Sequence, residues 1–131
     1  MKMRVGQGVD VHAFSEGDHV VLGGVQIQFS KALAEHSDGD VALHALCDAM
    51  LGAAALGDIG RHVPPSDDCW KGADSRELLR RVNMMLKHDG WSVNNADITL
   101  VCERPKITPF ADQMKANIAA DIGIDMTDIS V

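Results

Sequence analysis

Residues 3–9 alternate apolar with polar or glycine positions, Met3 and Val5 leading on to Val9 and Val11. A period of two predicts a strand running into residues 10–12. Val20-Val21-Leu22 and Val25-Gln26-Ile27-Gln28-Phe29 flank Gly23-Gly24, a dipeptide suited to the positive φ angles of a two-residue hairpin turn. From residue 39 to about 56 nearly every side chain is Ala, Leu, Val, Met or Cys, which predicts a helix buried on most of its circumference and capped by Ser37 or Asp38. Asp58-Ile59-Gly60 breaks that pattern, and Pro64-Pro65-Ser66-Asp67-Asp68 reads as a loop. A second helix is predicted from Asp74, as N-cap with Glu77 reaching back, to Gly90. Residues 96–102 alternate again and predict a strand, Thr108-Pro109 opens a helix closed by Gly123, and residues 129–131 begin another strand. This order predicts a single-domain α/β or α+β sandwich.

The chain has 131 residues, seven Met and no Tyr, so its one core must be aliphatic. A formal charge of −7 argues against a nucleic-acid footprint, which needs clustered Lys and Arg. An anionic ligand would therefore need local help from a metal, a helix N-terminus or a lysine. Arg76, Arg80, Arg81 and Lys87 share the polar side of the second helix and read as a solvated face. Cys47, Cys69 and Cys102 form no C-x-x-C pair and read as reduced thiols of a cytoplasmic protein; no apolar run reaches membrane-span length.

Asp10 and His12 lie two apart on a predicted strand, so both side chains point to one side. The long apolar helix carries Asp40, His44 and Asp48 at spacings of four, a polar stripe that must meet water, a counter-charge or a metal, or simply face solvent. If His44 meets Asp10 and His12, two imidazoles and a carboxylate suit tetrahedral zinc with a fourth position open to substrate. Asp40 or Asp48 would then be available to orient His44. His36-Ser37-Asp38-Gly39-Asp40 sits where a helix N-terminus favours phosphate, and Lys106, beside Pro105, offers a point charge to a second one. No nucleophile elbow, Walker loop or H-E-x-x-H motif is present.

Gly8-Val9-Asp10-Val11-His12-Ala13-Phe14, Leu22-Gly23-Gly24-Val25, the block from His36 to Ala45, Leu56-Gly57-Asp58-Ile59-Gly60 and Ala73-Asp74-Ser75 together resemble the 2-C-methyl-D-erythritol 2,4-cyclodiphosphate synthase family of non-mevalonate isoprenoid biosynthesis. The resemblance implies a mixed β-sheet with helices packed on one face, assembling as a homotrimer with active sites between subunits. It implies that Asp10, His12 and His44 bind Zn2+. His36 and Ser37 would contact substrate, with His36 helping to stabilise the transition state. Asp10, Val11 and His12 would also face substrate, Asp58, Ile59 and Gly60 would hold the methylerythritol part, and Asp67 matches a further substrate position. The stretch from Cys102 to Thr108 would line a cytidine pocket; Pro105 and Lys106 match the family pattern there, whereas Cys102, Ile107 and Thr108 are substitutions. Val63-Pro64-Pro65 departs from the family loop, and the 131 residues stop short of a Thr-rich, Glu-containing segment of the family, so a single domain 1–131 lacking that segment is expected.

The implied reaction converts 4-diphosphocytidyl-2-C-methyl-D-erythritol 2-phosphate to the 2,4-cyclodiphosphate and CMP, with Mg2+ or Mn2+ on the substrate phosphates and no protein nucleophile. Its alternative is a non-catalytic trimeric protein that binds zinc and an isoprenoid diphosphate.

Overall fold

Gly23 and Gly24 both adopt positive φ, 59° and 74°, and turn the chain tightly between β2 (His19–Leu22) and β3 (Val25–Gln28), which pair antiparallel from His19 opposite Gln28 to Leu22 opposite Val25. Val20, Leu22 and Ile27 point inward and meet Met114. A shorter antiparallel ladder joins β1 (Phe14–Ser15) to β4 (Ala32–Leu33). The computed structural model describes residues 2–34, 38–63 and 73–131.

The long apolar segment forms α1 (Val41–Ala53), whose cap is not Asp38; Ser37 lies outside the described residues. Asp40 takes that place, its side chain accepting from Leu43 N–H. A short α2 (Ile59–His62) is capped by Asp58. The predicted second helix is α3 (Ser75–His88), capped by Asp74, while Glu77 turns to Arg80 at 3.2 Å. A 3-10 turn at Thr108–Phe110 leads into α4 (Ala111–Ile122), which Gly123 ends in the left-handed conformation. A second 3-10 turn, Met126–Asp128, precedes β6 (Ile129–Ser130), which lies parallel to β5 (Ala96–Asp97).

The helices close the main core. Leu43, Cys47 and Leu51 of α1 and Leu79 of α3 are fully shielded, and Ile118 and Ile122 of α4 pack with them. Each such aliphatic side chain contributes roughly 1.5–3 kcal/mol by leaving water. The helix order is further fixed by Asp121 of α4, whose buried carboxylate accepts from Arg76 Nε at 2.8 Å and Arg80 Nη1 at 2.9 Å. Half of the expected solvated basic face is thus turned to a buried acid, and the Asp121 carboxylate raises the pKa of both guanidinium groups.

The fold is a small mixed α/β domain. Strand pairing is both antiparallel and parallel, as expected, but among the described residues it is divided into three two-stranded ladders instead of one sheet. The predicted strand over 3–9 has no ladder partner among the described residues, and residues 2–7 are all exposed; a period of two in burial begins at Gly8, where Gly8, Asp10 and His12 are half-buried while Val9, Val11 and Ala13 are exposed. The predicted strand over 96–102 is paired only at its start. Ile98 N–H still donates to Ser130 O at 2.8 Å, but a ladder requires a partner, and β6 offers one only as far as Ser130.

Candidate metal centre

Residues 6, 8, 10 and 12 share one side of the extended N-terminal segment, and that side lies against α1. A Cβ on Gly6 would stand 1.9 Å from Ala49 O, and one on Gly8 would stand 2.0 Å from Ala45 O, so only glycine allows the backbone to approach this closely. Ala45, Ala49 and Ala53 repeat every four residues and form the flat strip of helix on which the segment rests. The same period of two then delivers Asp10 to His44.

Asp10, His12 and His44 form the only metal-competent acid and imidazole cluster among the described residues, their ligand atoms all within 4.8 Å of one another. Asp10 Oδ2 lies 2.9 Å from His12 Nε2 and 3.3 Å from His44 Nδ1. The edge of a zinc tetrahedron with bonds of about 2.0–2.2 Å is roughly 3.3–3.6 Å, so the set is near the size it would need. The imidazole rings meet edge to face at 5.5 Å.

The hydrogen bonds turn one nitrogen of each imidazole toward Asp10. His12 Nδ1 lies 3.3 Å from Gly39 O, an acceptor only, so that nitrogen carries hydrogen and Nε2 faces Asp10, with a lone pair in the neutral ring. His44 Nε2 lies 2.8 Å from Ser75 Oγ, leaving Nδ1 toward Asp10. A ring nitrogen facing a half-buried carboxylate is joined to it either by a proton or by a divalent metal, and two imidazoles with one carboxylate are a donor set that such a metal accepts. The donor set therefore fits a divalent metal.

The stripe on α1 divides its labour. Asp40, fully buried, accepts from Gly23 N–H at 2.9 Å, Gly24 N–H at 2.7 Å and Leu43 N–H at 3.1 Å, clamping the hairpin turn to the helix start. Burial pushes its carboxyl up to about 7, against the pull of those donors. Asp48 accepts from Ile59 N–H at 2.8 Å and so ties Asp58, Ile59 and Gly60 one turn along α1 from His44. The partner found on His44 Nε2 is Ser75, not the Asp40 or Asp48 suggested by the sequence, and Ser75 Oγ–H in turn donates to Asp38 Oδ1. Ser75 was missed because it lies 31 residues away, on a different helix; the Ala73-Asp74-Ser75 motif was its one visible signal.

Val11 directs its side chain to the exposed side, 83% accessible, while its N–H donates to Asp10 Oδ1 at 3.0 Å. Cys102, Pro105 and Lys106 gather in one turn: Cys102 Sγ reaches Pro105 O at 3.6 Å, and the Arg104–Pro105 peptide is cis. His36, Ser37 and Asp67 lie outside the described residues, as do Cys69 and Pro64-Pro65. Cys47 and Cys102 are free thiols, Cys47 buried and Cys102 exposed. No helix among the described residues is long and apolar enough to cross a membrane.

The YgbB family model matches residues 3–131. The chain belongs to the YgbB family. A YgbB relative from Xanthomonas oryzae pv. oryzae (strain PXO99A), named 2-C-methyl-D-erythritol 2,4-cyclodiphosphate synthase, is 58% identical over 128 residues, covering 98% of this chain and 78% of the relative. The bifunctional IspDF of Campylobacter jejuni superposes with a TM-score of 0.93 at 42% identity, over 98% of this chain and 35% of that longer one. A CDP complex of IspF from Plasmodium falciparum superposes with a TM-score of 0.82 at 32% identity, over 98% of this chain and 78% of that one. The YgbB fold thus carries the Asp10, His12 and His44 cluster in this chain.

Proposed function

We propose that this chain is a 2-C-methyl-D-erythritol 2,4-cyclodiphosphate synthase, a metal-dependent phosphorus–oxygen lyase. The observation that carries the reading is the convergence of Asp10, His12 and His44 in a chain 58% identical to a relative of that name. In the reaction, the 2-phosphate of 4-diphosphocytidyl-2-C-methyl-D-erythritol 2-phosphate attacks the β-phosphorus of the same molecule. The P–O bond to the CMP phosphate breaks, and its electron pair leaves with CMP.

The protein's work is to fold a flexible polyanion so that attacker and leaving group lie in line. Zn2+ held by Asp10, His12 and His44 would supply Lewis-acid charge beside the diphosphate, and Mg2+ or Mn2+ would accompany the phosphates. Asp58, Ile59 and Gly60, tied to α1 through Asp48, are suited to hold the methylerythritol part near that centre. The turn of Cys102, Pro105 and Lys106 would receive cytidine, and the CDP complex of the Plasmodium falciparum relative supports a cytidine nucleotide as the kind of ligand. His36, Ser37 and Asp67 complete the substrate contacts in this reading, with His36 acting at the transition state.

A homotrimer with sites between subunits is part of the proposal. Met3, Val5, Val9 and Val11 are exposed on one side of the N-terminal segment, with Gln7 between them, and Val101 is 94% accessible, surface of a kind that supports burial against further copies. Free thiols support a cytoplasmic location. The synthase name of the relatives favours turnover over the non-catalytic binding alternative.

Phosphorus NMR of the chain with substrate, zinc and magnesium tests the reading. CMP and a cyclic diphosphate are expected, and both should be lost in His44→Ala. An unchanged spectrum from folded, zinc-loaded protein would overturn it.

A further inference from the structure

Ser75 opens α3 and is 1% exposed, so no solvent reaches its hydroxyl. Its backbone N–H, one of the orphan donors of a helix start, gives to Asp38 Oδ2 at 2.9 Å, and its Oγ–H gives to Asp38 Oδ1. Asp38 Oδ1 also accepts from Asp40 N–H at 3.1 Å. As a carboxylate Asp38 can only accept, and a serine hydroxyl has a single proton to give. Once that proton is committed to Asp38, Ser75 Oγ can meet His44 Nε2 at 2.8 Å only by accepting.

We propose that Ser75 and Asp38 are positioning residues that hold His44 as its Nε2–H tautomer and thereby aim the Nδ1 lone pair at the metal. The proposal rests on the metal reading above and deepens it. It makes the start of α3 part of the metal centre, although neither residue is placed to ligate. The direction of hydrogen bonding runs from His44 to Ser75 to Asp38, and each acceptor is fixed by the one behind it. Removing Ser75 Oγ strands a buried N–H and frees the ring to exchange tautomers. Removing the Asp38 carboxylate instead releases the serine proton, which can then turn to His44 Nε2 and drive the wrong tautomer.

Two readouts test this, neither of which is turnover. Long-range proton–nitrogen NMR of the zinc-free protein at pH 8 should show His44 as Nε2–H in the wild type, a mixture in Ser75→Ala, and a shift toward Nδ1–H in Asp38→Ala. Chelator competition should show zinc held roughly 10–100-fold more weakly by Ser75→Ala, with Ser75→Thr recovering most of that loss and the cobalt spectrum following the same order. A wild-type His44 in the Nδ1–H form, or a Ser75→Ala protein that binds zinc as tightly as the wild type, would overturn the proposal. A wild type that takes up neither zinc nor cobalt defeats the metal reading itself, and the tautomer measurement still decides the Ser75–Asp38 arrangement. Should Asp38→Ala fail to fold, the two Ser75 variants decide it alone.

Discussion

Replacing Gly8 with alanine should disable the metal centre without touching a ligand. The added Cβ would stand 2.0 Å from Ala45 O and 2.9 Å from Ala49 N, both backbone atoms of α1. An ordinary C···O approach needs about 3.3 Å, so the segment must lift by more than about 1 Å. No rotamer change relieves a clash with backbone, and overpacking of this kind costs about 1–3 kcal/mol. Asp10 lies two residues on and is carried with the segment, away from the His44 that it meets at 3.3 Å. Since metal–oxygen bonds allow little stretch, zinc affinity should fall about 100-fold or more, beyond the usual loss of an outer partner. Turnover should fall by a comparable factor, because misplacement by 1 Å costs about 100-fold. Gly52 is the control: it lies within α1, a Cβ there meets nothing within 4 Å, and Gly52→Ala should stabilise the helix by roughly 0.5–1 kcal/mol with zinc binding unchanged. Chelator competition and urea denaturation measure both variants. A Gly8→Ala protein with zinc affinity within threefold of the wild type would refute the close-approach argument.

Three further outcomes follow from the packing. Asp40→Ala removes the acceptor for Gly23, Gly24 and Leu43 N–H together, which should cost about 3–5 kcal/mol in urea denaturation; a loss below about 1 kcal/mol would show that the hairpin and α1 are not clamped through this carboxylate. At the α3–α4 contact, the paired loss of Arg76 and Arg80 to alanine should destabilise more than Asp121→Ala, because it leaves a buried carboxylate unpaired, whereas the partly exposed guanidinium heads can take up water; equal or reversed losses would refute that ordering. Burial, with Asp48 and Asp40 nearby, pushes the Cys47 thiol up, so iodoacetamide at pH 8 should alkylate exposed Cys102 in the native protein and reach Cys47 only on unfolding, as read by peptide mass spectrometry. Native alkylation of Cys47 at the rate of Cys102 would contradict its burial.

Local chemistry was readable from the chain alone wherever neighbours in sequence are neighbours in space. The Gly23-Gly24 turn needs two positive φ angles, the apolar run of α1 has nowhere to go but inward, and Asp74 and Gly123 mark helix ends, so each of these was legible. The spacing of Asp10 and His12 likewise put both on one side of an extended segment, and the stripe of Asp40, His44 and Asp48 announced that α1 must meet something polar. The tertiary structure decided which partner each member of that stripe found. Asp40 went to a turn 16 and 17 residues away, Asp48 to the start of α2, and His44 to Asp10 on one side and Ser75 on the other. Strand extent was also settled in three dimensions, since residues 3–9 and 98–101 carry the alternation of strands but a ladder exists only where a second backbone comes alongside. A side chain's spacing fixes the face on which it lies, while the identity of what it touches depends on how the helices pack, and that packing is the sum of many long-range contacts that no local window contains.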